Sequence, residues 1–166
     1  MAQGINHNAG GVRLYTDEQR RRRDASRWTM VQGVLAPVQF VICIVSAVLV
    51  VRFLMTGEGY VAATVSVVIK TFALYTIMVT GAIWEKEVFG QYLLAPAFFW
   101  EDMVSFLVIA LHTIYLVALF AGSMTPEQLM ITALVAYALY TVNAAQFIWK
   151  LRQARLSAPQ PQEVPA

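Results

Sequence analysis

Residues 80–102 read TGAIWEKEVFGQYLLAPAFFWED and hold four of the chain's ten carboxylates (Glu85, Glu87, Glu101 and Asp102) and two of its four tryptophans (Trp84 and Trp100). Long apolar runs flank this stretch on both sides. Acids and amphipathic rings bunched between two such runs mark a place where lipid ends and water begins. A carboxylate at that boundary reaches both water and a greasy ligand, which acid–base chemistry on a hydrophobic molecule requires.

Outward from this stretch, four runs each approach the roughly 20 residues needed to cross a bilayer: Met30–Val51, Val61–Ile83, Met103–Ala121 and Leu129–Trp149. With 58% hydrophobic residues and 13% charged ones, the 166-residue chain reads as an integral membrane protein. The fold expected is all-α: a four-transmembrane-helix bundle with an N-terminal interfacial helix. The helices are expected at about 29–55, 60–84, 97–121 and 126–151, within a single domain over 16–156. Residues 1–15 are expected to form a mobile N-terminus and residues 157–166, rich in proline and glutamine, a disordered tail. The first 27 residues are polar and arginine-rich, without the apolar core of a cleavable signal peptide.

Turn signals agree with this division. Thr16-Asp17-Glu18-Gln19 fits a capping box, and Thr125-Pro126 pairs a capping residue with proline at the first helical position. Pro96 is expected to start the third membrane helix after a bent segment over 84–95. Arg20–Arg23, Arg27, Lys86, Lys150, Arg152 and Arg155 fall on one side of this topology, so both termini are expected in the cytoplasm. The basic run then anchors the topology against anionic headgroups and is not a nucleic-acid site.

Several chemistries are excluded. Cys43 is the single cysteine, so there is no CxxC centre. Of two histidines, only His112 lies in an apolar run, so a bis-histidine haem has too few ligands. No phosphate loop, serine-hydrolase elbow or HExxH is present. No GxxxG motif specifies a helix dimer, and no inverted repeat supports a proton-coupled transporter.

Polar residues inside the runs are expensive and need partners. Lys70, Gln39 and His112 fall at similar depths, and Glu101, Ser105 and His112 recur at i, i+4 and i+11 on one helix face. Gln32, Ala36, Gln39, Cys43 and Ser46 form a small, polar stripe on the first membrane helix; Ala136, Tyr140, Asn143 and Phe147 form a second on the fourth. Interhelical hydrogen bonding accounts for such residues as well as a polar-spotted cavity does. Likewise Trp28, Trp84, Trp100 and Trp149 make an ordinary aromatic belt or a wall for a flat ligand, and Glu85-Lys86-Glu87 makes a solvated turn or part of a site.

Three blocks carry a resemblance: YTDEQRRRRDASRWTMVQGVLAPVQF, IMVTGAIWEKEVFGQYLLAPAFFWED and YTVNAAQFIWKLRQARL. In order and spacing, from about Leu14 to Leu156, the chain resembles the 3-vinyl (2-vinyl) bacteriochlorophyllide hydratases of bacteriochlorophyll biosynthesis. The resemblance implies a hydro-lyase of the photosynthetic bacterial inner membrane that uses no redox cofactor. It would add water across the 3-vinyl group of chlorophyllide a or 3-vinyl bacteriochlorophyllide a to give a 3-(1-hydroxyethyl) group. Its partners would be this substrate, membrane lipid and other enzymes of the pathway, with no nucleic acid. The alternative function is a non-catalytic carrier of the same pigment.

Hydration of a vinyl group needs an acid for the terminal carbon, a carboxylate for the resulting cation and a wall for the ring. Glu101 and Asp102, with Glu85 or Glu87 opposite, are the candidate catalytic set, Glu101 being the preferred acid. His112, Lys70, Gln39, Asn143, Trp84, Trp100 and Lys86 are the candidate substrate-binding residues. No resident metal is expected; His112 can ligate the substrate's magnesium axially, and Lys86 or an arginine of the 20–27 stretch can pair with its propionate.

Overall fold

A computed structural model describes residues 14–156. The expected mobile segment up to residue 13 and the expected tail from 157 lie outside them. Five helices follow in order: α1 (Asp17–Ala25), α2 (Arg27–Thr56), α3 (Tyr60–Phe89), α4 (Phe99–Ala121) and α5 (Pro126–Leu156). No strand occurs among the described residues.

Helices α2 to α5 are each long and apolar enough to cross a membrane. Only 22–28% of each apolar window is buried inside the protein. The remainder, including Phe40, Ile44, Val48, Phe72, Val117 and Phe120, is exposed and apolar, a surface that a lipid environment covers and water would not. The chain is therefore a multi-pass membrane protein. The most extensive packing joins α2 to α3 and α4 to α5, and these two hairpins close on each other through α2–α5 and α3–α4 contacts. Val50, Val67, Val108, Tyr115 and Met130 fill the core.

At one end the connections are tight. Gly57 and Gly59 both take positive φ (74° and 83°), which lets α2 stop and α3 begin within a few residues. Thr125 and Gln128 form the reciprocal cap that starts α5 at Pro126, as expected.

At the other end three expectations change. Helix α3 does not bend at residue 84 but runs to Phe89, because Glu85 and Val88 are buried against the bundle and Gly90, at φ 88°, caps it with an N–H bond to the Lys86 carbonyl. Pro96 does not start α4. It sits second in the turn Ala95–Phe98, closed by the Phe98 N–H on the Ala95 carbonyl, and α4 begins at Phe99. Tyr15, placed by the sequence at the end of a mobile segment, is buried: it stacks on Phe89 at 5.7 Å and lies under the Arg23 guanidinium. Burial pushes its phenol up to about 12. Thr16 caps α1 with the expected capping box, and α1 packs on the end of α3.

Candidate active site

The Gly90–Phe98 loop folds back over the ends of α3 and α4, and two carboxylates hold it there. Asp102 Oδ2 accepts the Leu94 N–H at 2.7 Å, and Glu85 Oε2 accepts the Ala95 N–H at 3.2 Å. Leu94 has φ 60°, a left-handed conformation that costs a leucine about 1–2 kcal/mol. Backbone strain of this kind persists only where the surroundings impose it; here the Asp102 bond does so. The adjacent backbone N–H groups of Leu94 and Ala95 that they hold bring the Glu85 and Asp102 carboxyl groups close together.

Glu101 lies beside this pair. Its Oε2 meets Lys150 Nζ of α5 at 2.6 Å, and its backbone carbonyl accepts the Ser105 hydroxyl. Ser105 Oγ in turn accepts Asn143 Nδ2 at 2.7 Å. Glu85, Glu101 and Asp102 are 4%, 7% and 3% exposed, so all three acids leave bulk water while staying at the bundle's end. Glu101 and Asp102 sit in the first turn of α4, where the helix dipole favours negative charge.

A groove of about 510 Å³ runs along the same end of α5. Glu101 and Lys150 form one wall, and Val142, Gln146 and Trp149 form much of the rest. Gln146 Oε1 is buried beside it without a hydrogen-bond partner among the described residues. Trp149 presents an exposed indole at its edge.

Other candidates are placed elsewhere. Glu87 points away from the cluster and accepts the Ser26 hydroxyl at 2.8 Å. Lys86 donates to the Gly90 carbonyl at 2.7 Å, closing the C-terminus of α3. Trp84 donates its indole N–H to Thr29 and joins Phe89 and Phe98 in an aromatic plug, while Trp100 meets Phe99 edge to face at the outer surface. Gln39, Lys70, His112 and Asn143 are buried deeper in the bundle. His112 lies about 16 Å along α4 from Glu101, at 1.5 Å per residue. Its Nδ1 bonds the Val108 carbonyl at 2.8 Å, and its ring packs against Tyr137.

Lys150 and Gln146 are functional candidates that sequence reasoning passed over, Lys150 having been read only as a topology charge. A signal existed: Tyr140, Asn143 and Phe147 continue by one step of three to Lys150 on the same helix face.

Residues 15–153 match the family model described as 2-vinyl bacteriochlorophyllide hydratase (BCHF). The chain belongs to this family. A 2-vinyl bacteriochlorophyllide hydratase of Rhodobacter capsulatus is 70% identical over 145 residues, covering 87% of this chain and 84% of the relative. One of Cereibacter sphaeroides is 69% identical over 144 residues, covering 87% and 89%. No solved structure matches the chain. The matched segment takes in α1 to α4 and α5 as far as residue 153, so the carboxylate cluster and the groove both lie within the family's shared region.

Proposed function

We propose that this chain is a hydro-lyase that adds water across the vinyl group of a bacteriochlorophyllide, acting on chlorophyllide a or 3-vinyl bacteriochlorophyllide a in bacteriochlorophyll biosynthesis. The observation that carries the reading is the position of Glu101. It is a nearly buried carboxylate, held by Lys150 and backed by a second carboxyl pair, and it forms the wall of a groove flanked by a tryptophan. Family membership supplies the substrate class.

The macrocycle lies along α5 with one face toward Trp149, and its vinyl arm reaches Glu101. Two buried carboxyl groups held close together favour sharing a proton over carrying two charges, which makes the Glu85–Asp102 pair the proton store next to Glu101 in this reading. The pair protonates Glu101, and Glu101 delivers that proton to the terminal vinyl carbon. The π electrons form the new C–H bond, and positive charge appears on the internal carbon, where the ring delocalises it. The Glu101 carboxylate, now facing a cation, stabilises it electrostatically. Water attacks the internal carbon and loses a proton to Glu101, which returns it to the pair. Atoms and charge balance as one water added, and no electrons leave the system.

Lys150 keeps the Glu101 carboxyl in one place, which near-attack geometry requires. Arg20–Arg23, Arg27 and Lys86 gather at the same end of the bundle and provide positive charge for the substrate's propionate and for anionic lipid headgroups. That charge bias supports a cytoplasmic orientation of this end, with both termini, in the bacterial inner membrane. There the chain meets a substrate made by other enzymes of the pathway.

Membranes containing the chain, incubated with chlorophyllide a or its bacteriochlorin counterpart, test the reading. Loss of the vinyl group shortens conjugation, so the long-wavelength band moves to the blue while the pigment gains the mass of one water. Binding of both pigments with neither change would replace the hydratase by a carrier.

A further inference from the structure

We propose that the centre of the bundle is a water-binding site that supplies the nucleophile to Glu101 from inside the protein. This rests on the hydration reading above. It starts from four polar groups that the reaction as described leaves unused. Lys70 on α3 is 0% exposed and His112 on α4 is 1% exposed, while Gln39 on α2 and Asn143 on α5 are buried beside them. Lys70 Nζ, His112 Nε2, Gln39 Nε2 and Asn143 Oδ1 make no hydrogen bond among the described residues. Nine buried side-chain atoms lack a partner among the described residues, and these four come one from each membrane helix, which points to a shared ligand.

Contacts of Lys70 and helix register place these groups in the same part of the bundle. Lys70 Nζ lies 3.7 Å from the centre of the Tyr140 ring and within electrostatic range of Cys43 and His112. Gln39 is one turn from Cys43 on α2, and Asn143 is one turn from Tyr140 on α5. The chemistry of the set selects the ligand. Lys70 and Gln39 Nε2 offer donors, and Asn143 Oδ1 is an acceptor only. With Nδ1–H given to the Val108 carbonyl, neutral His112 presents an acceptor at Nε2. An anion would satisfy the donors but meet two acceptors and the negative face of Tyr140. Water, which both donates and accepts, satisfies every member, and a buried water ordinarily makes about three such bonds. No cluster of three metal-ligating side chains exists among the described residues, so a cation has no cage here.

The site leads to the chemistry. Asn143 Nδ2 donates to Ser105 Oγ at 2.7 Å, and Ser105 Oγ donates to the Glu101 carbonyl at 2.9 Å, which takes the polar track from the bundle's centre to the groove wall. A flat macrocycle lying in the groove covers Glu101 from outside. The proposed supply therefore comes from the inner side, along this polar track.

X-ray radiolytic footprinting of the full chain in nanodiscs reads bound water directly, because radicals form from the water that touches a side chain. Cys43 and Tyr140, both buried, are expected to be oxidised in the unmodified protein and protected about fivefold or more in Lys70→Met, whose apolar side chain removes the site's main donor. Asn143→Leu, which leaves Lys70 in place, is expected to lower kcat about tenfold with KM unchanged, since it interrupts supply and not pigment binding. Unlabelled Cys43 and Tyr140 in a chain that still hydrates pigment would overturn the water site and leave the hydratase reading intact. Labelled residues with unaltered kcat in Asn143→Leu would overturn the supply role. Labelling in a chain that never hydrates pigment would overturn the reaction itself and the supply role with it.

Discussion

The carboxylate end of the bundle and its centre treat buried polarity in opposite ways. At the end, each acid has a partner: Glu101 has Lys150, Asp102 has the Leu94 N–H, and Glu85 has the Ala95 N–H. In the centre, Lys70, His112, Gln39 and Asn143 each keep a polar atom that no described side chain or backbone group answers. The two lysines make the contrast sharpest. Lys150 meets a carboxylate at 2.6 Å, whereas Lys70 faces only the Tyr140 ring. A region whose acids are all held is preorganised, and its electrostatics are ready before substrate arrives. A region with unanswered groups is built around something that comes and goes. In the proposed reading the chemistry belongs to the first region and the supply to the second.

Substitutions at the two regions should therefore fail differently. The largest loss is expected for Glu101→Gln, which keeps shape but removes the one acid facing the groove: kcat should fall by about 10²–10⁴ with pigment still bound, read by the absorption and mass assay. Asp102→Asn comes next, at about 10². Its amide oxygen still accepts the Leu94 N–H, so the loop stays clamped while the proton store is lost, and a melting temperature close to that of the unmodified protein separates this from structural collapse. Lys150→Met leaves Glu101 without its partner and should lower stability by about 1–3 kcal/mol, the range reduced because the pair is partly exposed. Lys70→Met, although it removes a more deeply buried charge, should leave thermal stability equal or higher, since it deletes an amine that has no anion. The smallest effect, a gain of about 1 kcal/mol, is expected for Leu94→Gly, which relieves the positive φ; thermal unfolding in detergent measures it.

Much of the frame was legible in the chain. Apolar run length gave four membrane helices, and Thr16 and Thr125-Pro126 marked the starts of α1 and α5 because caps are local chemistry. The end of α3 was not legible, because what carries the helix from residue 84 to Phe89 is the burial of Glu85 and Val88 against the bundle, a tertiary effect. The same non-locality hid Tyr15, whose ring is held by Phe89 and Phe98 from distant segments.

Within the site, Glu101, Ser105 and His112 fell on one face by spacing, and the structure buries all three. Glu85 and Glu87 were offered as equals, yet two residues apart on a helix point about 200° from each other, so only one could turn inward. Glu85 does, and Glu87 bonds Ser26 instead. Lys150 escaped notice because a lysine after an apolar run has an ordinary use as a topology anchor. Its partner lies 49 residues away, a pairing that no local pattern encodes.

The most direct test of the central claim follows the proton. Hydration in deuterated water, read by mass spectrometry of the product, should place one deuterium on the terminal carbon of the new hydroxyethyl group, at a rate that collapses in Glu101→Gln while pigment binding persists. A Glu101→Gln protein that inserts correctly and incorporates deuterium at the unmodified protein's rate would contradict the account.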